Sequence, residues 1–115
     1  MANTFKTVTK AGVTSADVIY TVAGSTTTVV LGIMLGNTTT SQVTATVTLS
    51  SDTSNRAGAN NEANQDVELI TNAPVPVGSS LELLAGNKVV MEATDVLKLT
   101  ASGATDITVS IMEIT

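Results

Sequence analysis

The side chains able to do chemistry in this sequence are carboxylates, hydroxyls and five bases, because histidine, cysteine and tryptophan are all absent. General acid–base catalysis needs two titratable groups whose surroundings push their pKa values apart. The candidates are Glu62, Asp66, Glu68, Glu82, Glu92 and Asp95. Glu68 and Glu82 fall at polar positions of strand-like runs, where a solvated outer face is expected. Glu92 and Asp95 flank a turn, a place where aspartate commonly bonds the backbone. Serine and threonine are plentiful, but the usual nucleophile–base pairs need histidine or cysteine, and no spacing singles out a Ser–Lys pair. The chain is therefore expected not to be an enzyme.

Metal and cofactor chemistry is equally thin. Zinc would lack its nitrogen and sulfur ligands. Asp52, Asn55, Asn60, Asn61, Glu62 and Asp66 supply oxygens but not the D-x-D-x-D-G spacing of a calcium loop. No glycine-rich phosphate motif occurs, and Phe5 and Tyr20 are too few aromatics for a sugar-stacking platform. No cofactor and no metal are expected.

The charge balance bears on partners. Ten acids against five bases give a net charge of −5, and Lys6, Lys10, Arg56, Lys88 and Lys98 are scattered rather than clustered. A phosphate-binding face needs clustered bases, so no nucleic-acid partner is expected. The longest apolar run, Val29 to Leu35, is far shorter than the roughly 20 residues of a membrane helix. The opening Met-Ala-Asn-Thr-Phe-Lys lacks the order of a signal peptide. No membrane partner is expected, and the chain reads as cytosolic in origin and soluble. The sequon Asn37-Thr38-Thr39 carries little meaning in that setting.

The elements that must hold these residues read as strands. Gln42 to Leu49 alternates with period two, placing Val43, Ala45, Val47 and Leu49 on one face and Thr44, Thr46 and Thr48 on the other, the mark of a half-buried antiparallel strand. Thr27 to Leu35 is apolar on both faces, which predicts a strand covered on both sides. Across the short polar turn between them, the two runs read as a hairpin. Val18, Tyr20 and Val22 are expected to share a face. Val67 to Ile70 reads as a short strand, followed by a rigid turn around Pro74 and Pro76, which cannot donate ladder hydrogen bonds. Ser80 to Leu84, Lys88 to Met91 and Val96 to Ala101 follow. In the last run, Ile107, Val109 and Ile111 lie on one face but Met112 and Ile114 on the other, suggesting a bulge or an end buried on both sides.

About eight short strands and no amphipathic helix predict an all-β fold, an antiparallel β-sandwich of jelly-roll type. One domain is expected over residues 1–115, with residues 1–16 as an N-terminal arm or weak first strand and 50–66 as a long polar loop. The stretches Ser25 to Leu49 and Glu92 to Ile114 share one plan: turn, strand, polar turn, strand. With only two aromatics the core must be aliphatic, and added burial from a neighbouring subunit is expected.

Several stretches then carry a resemblance. N-A-P-V-P-V-G-S-S-L-E-L (Asn72 to Leu83), G-N-K-V-V-M-E-A-T-D-V-L-K-L (Gly86 to Leu99), D-I-T-V-S-I-M-E-I (Asp106 to Ile114) and T-T-T-V-V-L-G-I-M-L-G-N-T-T (Thr26 to Thr39) resemble small virion structural proteins of tailed bacteriophages. The resemblance implies a particle component without catalytic residues, made in the host bacterial cytoplasm and located in the virion. A capsid decoration (cement) protein is the leading expectation, with a neck, collar or tail-ring component second and a cellular β-sandwich binding module third. Its expected partners are itself, as a homo-oligomer with a trimer favoured, and the major capsid protein or neck and tail proteins. Residues 1–16 and 50–66 are the candidate contact segments, with Phe5, Lys6, Lys10, Arg56, Asn60, Asn61, Pro74 and Pro76 as candidate interface residues.

Overall fold

A computed structural model describes residues 2–51, 65–84 and 86–115. Among them are nine strands and no helix: β1 (Asn3–Val13), β2 (Ala16–Thr21), β3 (Thr27–Asn37), β4 (Val43–Ser51), β5 (Gln65–Val75), β6 (Ser80–Leu83), β7 (Val89–Met91), β8 (Val96–Ala101) and β9 (Thr105–Ile114). They form two antiparallel sheets. The first runs β1-β9-β3-β6, with β7 also paired to β3; the second runs β2-β8-β4-β5. Every pairing joins a strand from early in the chain to one from late, save β4 with its neighbour β5. This is the wrapped double ribbon of a jelly roll.

The alternation of β-branched and polar residues sets the inner faces. Val30, Ile33 and Leu35 of β3, Val43, Ala45 and Val47 of β4, Leu97, Leu99 and Ala101 of β8, and Ile107, Val109 and Ile111 of β9 are all buried. Val13, Val22, Val75, Leu83 and Met91 complete the core. Fully burying such a side chain stabilises by about 1.5–3 kcal/mol. Leu49, expected beside Val47, is only half-buried.

Four expectations are corrected, and one open choice is decided. Of the two readings of residues 1–16, residues 3–13 take the strand: eleven residues paired with β9 from Asn3↔Ile114 to Lys10↔Ile107. β3 and β4 do not form a hairpin, because the chain between them crosses from one sheet to the other; β3 pairs with β9, β6 and β7, and β4 with β5 and β8. The similar stretches Ser25 to Leu49 and Glu92 to Ile114 are in fact partners, β3 against β9 and β4 against β8. Val18 leaves the face of Tyr20 and Val22, since a register shift between Val18 and Tyr20 turns Val18 outward to 49% exposure. The strand near Val67 is longer than expected, running from Gln65 through Pro74 to Val75. Proline is tolerated there because β5 is an edge strand. At the two ends of the expected 50–66 loop, Ser50↔Asp66 and Ser51↔Gln65 continue the ladder; residues 52–64 lie outside the described residues.

Two polar clamps tie the sheets together near opposite ends of β3. At its C-terminal end, the buried Asn37 amide donates to the carbonyls of Ser41 (2.8 Å) and Val75 (2.9 Å) and its oxygen accepts from the Thr39 backbone (2.8 Å). The Val75 bond crosses to the second sheet. The Asn37 side chain is thus committed to the fold, which answers the sequon. At the other end lies a tyrosine network described below.

In the β8–β9 turn, a methyl group on Gly103 would lie 2.8 Å from Cγ1 of Val43 and 3.4 Å from the Thr39 methyl. Gly103→Ala is therefore expected to destabilise the fold by about 1–3 kcal/mol through overpacking. Urea denaturation checks it, and the cost should shrink in a Val43→Ala background, where the clashing group is gone.

Candidate functional site

The ionisable side chains do not converge on one site. Asp66 accepts a hydrogen bond from the Ser50 hydroxyl and Glu68 one from Thr71. Asp95, 2% exposed, accepts from the Glu92 backbone N–H at 3.0 Å, the turn role expected of it. Glu82 is exposed on β6, and Glu62 lies outside the described residues. Among the described residues no three metal-ligating side chains gather.

Tyr20, Glu113, Lys6 and Thr28 form a polar group that contains three ionisable side chains. Tyr20 reaches from β2 across to the first sheet, where its hydroxyl donates to Glu113 Oε2 at 2.6 Å and bonds Thr28 Oγ1 at 2.7 Å. With the phenol proton on Glu113, the Thr28 hydroxyl is the donor in the second bond. Lys6 Nζ closes on Glu113 Oε1 at 2.7 Å. Burial, then the bond to Glu113, pushes the Tyr20 phenol up to about 12. The bonds from Lys6 and Tyr20 hold the Glu113 carboxyl below its ordinary value. Nearby, Lys10 bonds Asp17 of β2 at 3.1 Å, a more exposed pair across the same open side. These are structural contacts: each charge is held by a partner inside the fold.

Of the candidate interface residues, Phe5, Lys6 and Lys10 share β1 but not a face. Phe5 points outward, 72% exposed, while Lys6 and Lys10 turn inward to their acids. Pro74 lies on β5, at the far edge of the other sheet, and Pro76 just beyond it. Arg56, Asn60 and Asn61 lie outside the described residues. The described candidates therefore do not form one patch.

The structure instead assembles a surface around Phe5 that residue-by-residue reading misses. The registers Val90↔Val29, Val29↔Met112 and Met112↔Phe5 set these four side chains in one row across β7, β3, β9 and β1, on the outer face of the first sheet. Ile114 adjoins the row, and the extra residue of the β3 register shift is Leu31. Phe5 and Val90 are 72% and 58% exposed; Val29, Leu31, Met112 and Ile114 are half-buried. Phe5, Thr7, Leu31 and Ser110 line a shallow depression beside the row. The outer face of the second sheet is different in kind: Val18, Lys98, Thr48 and Glu68 form one row, and Thr21, Val96, Ser50 and Asp66 another. The apolar second faces of β3 and of the end of β9 were the available signal.

The strand edges, by contrast, are blunted. β1 carries the inward-turned Lys6 and Lys10, β2 a register shift, and β5 two register shifts and Pro74; β6 and β7 have four and three residues. Inward charges, bulges, proline and short strands are the usual protections against edge pairing.

No protein-family model matches the chain, and no curated protein matches it. Among solved structures, it is similar to a pilus protein of Bacillus endospore appendages, described as disulfide-linked pili, with 17% identity and a TM-score of 0.51 over 99% of this chain and 87% of that one. Two structures of infectious bursal disease virus also match, one of its VP2 protein in derived particles (11% identity, TM-score 0.49) and one of the viral particle (9%, 0.46). This chain spans 96% of its own length in both, but 35% of each of theirs.

The tyrosine network gives a pH signature. Tyr20→Phe should cost about 1–2 kcal/mol, because Glu113 and Thr28 each lose a partner. The folded phenol is raised from 10.0 to about 12, so its contribution is complete below pH 10 and is lost as pH rises toward 12. The stability gap between the native chain and Tyr20→Phe, read by urea denaturation, should narrow across that window. Glu113 has the opposite sign. Its lowered value makes its contribution present above about pH 4.5 and lost as pH falls further, so the gap to Glu113→Gln should narrow on acidification.

Proposed function

We propose that this chain is a non-enzymatic structural component of a tailed-phage virion, a decoration (cement) protein that binds the major capsid protein in many copies over capsomer junctions. The observation that carries the reading is the contrast between the two outer faces. One is polar and threonine-rich; the other bears an apolar row anchored by an exposed phenylalanine. Apolar patches of this kind mark protein contacts, and Lys6, Lys10, Asp17, Tyr20 and Glu113 are engaged with one another inside the fold. The phage-like stretches noted in the sequence support the same reading.

A neck, collar or tail-ring component is the alternative on a virion, and a cellular binding module the alternative outside one. The likeness to a pilus protein favours a further reading, a filament subunit. With no cysteine in the sequence, copies in such a filament would be held by non-covalent contacts.

Purified protein added to particles lacking it, then imaged by cryo-electron microscopy, tests the proposal. Density at regular sites over the head is expected. Binding confined to the neck or tail would remove the cement assignment, and no particle binding together with retained glycan on an array would favour the binding module.

A further inference from the structure

We infer that the outer face of the first sheet is a contact surface between two copies of this chain, packed face to face with Phe5 of each seated beside Leu31 of the other. The inference rests on the self-assembly part of the reading above and names the surface that performs it.

Four observations converge on a second copy as the occupant. The first is the unfinished cover of β3 and β9. β3 is apolar on both faces and β9 becomes so at its end, where Met112 and Ile114 follow the outward Thr108 and Ser110. This is a pattern of strands buried on two sides, yet the chain's own second sheet covers only one. Val29, Leu31, Met112, Ile114 and the more exposed Met34 are left facing out.

The second is size. Three strands of 10–11 residues make up this sheet, with the short β6 and β7 sharing a fourth position beside β3. About 4.8 Å apart and rising about 3.3 Å per residue, they present a face of at most roughly 700 Å². A stable interface buries about 800 Å² per partner, so one sheet face against another approaches that without any added element.

The third is charge. With a net charge of −5, copies repel one another except where a neutral surface lets them approach. The strand positions of this face carry only Glu82 and Asp106. These pair in register with Met34 and Gly36, toward the end of β3 away from the row. Asp106 is also engaged by the Gly12 backbone N–H at 2.9 Å. The outer face of the second sheet carries Lys98, Glu68 and Asp66 in its rows, and its uncharged part, Ala16, Thr100, Thr46 and Thr44, is mostly hydroxyl-bearing rather than apolar.

The fourth is shape. The exposed Phe5 also forms one wall of a depression whose other lining residues are Lys6, Thr7, Leu31, Ser110 and Ile111. A two-fold contact is isologous and needs knob and hole on the same patch. The blunted edges leave the face as the assembly route. A contact of this kind closes at two copies, whereas a trimer would join two different surfaces.

The test is the mass of the intact chain in solution, by sedimentation equilibrium across micromolar to millimolar concentrations. The native chain should approach twice the monomer mass. Phe5→Asp, at an exposed position, should weaken association by on the order of 30-fold or more, the effect of losing a central aromatic anchor, with its circular dichroism unchanged. Should that variant fail to fold, Val90→Lys at the opposite end of the row serves the same purpose. Val67→Asp changes an exposed valine on the edge strand of the other sheet and should leave association intact. If the native chain associates and neither Phe5→Asp nor Val90→Lys weakens it, or if it forms a trimer, the face is wrong while self-assembly stands. A chain that stays monomeric at every concentration overturns the face; if it still decorates particles, the particle reading survives, and if it does not, both fall together.

Discussion

The pairing of β9 with β1 on one side and β3 on the other is the constraint on which the rest of this fold depends. It brings the beginning and end of the sequence together, down to reciprocal backbone bonds between Ala2 and Thr115 at 3.1 and 3.0 Å. Once that ladder exists, the alternation of β9 assigns every other role. Thr105, Ile107, Val109 and Ile111 face the core, Glu113 faces Tyr20, and Met112 joins the outer row. A one-residue slip would exchange all of these at once. The contacts involved span nearly the whole chain, so their loop-closure entropy must be met before they form, which predicts slow folding relative to local topologies.

A core without buried aromatics makes the sandwich thin and leaves its open sides hard to close. The two clamps answer this differently. Asn37 satisfies its amide with backbone groups of the turn that follows it and of the second sheet, so no charge is buried. Tyr20 and Glu113 use a phenol and a carboxylate, and the carboxylate stays ionised because Lys6 and the phenol both donate to it. The same Lys6 keeps a charge on the inner side of an edge strand. One ion pair thus serves cohesion inside the molecule and discourages pairing at its edge.

Much of this was legible in the sequence, and what was not has physical causes. The strict alternation in Val43–Leu49, Val96–Ala101 and Ile107–Ile111 gave the inner faces directly, because a strand's period leaves no other way to bury those residues. Pairing partners were less legible: a short polar turn after β3 looks the same whether the chain folds back within one sheet or crosses to the next. Register shifts at Val18 and Leu31 were hidden because a bulge needs no special residue. The proline-rich stretch looked like a turn until its edge position was known. As for the surface, Phe5 was visible as a candidate, but Val90, Val29 and Met112 come from three other segments and meet it only through register.

That last point bears on how a folded chain can present an apolar face without an apolar strand edge. An apolar segment exposed along one strand would invite edge pairing and aggregation. Here the central row takes one side chain from each of four strands, Phe5, Met112, Val29 and Val90, and becomes contiguous only when all four are in register. An unfolded or partly folded chain therefore does not display the surface. The patch comes into being with the jelly roll, so any contact it makes selects folded copies, and the threonine face on the other side keeps stacking from propagating through the molecule.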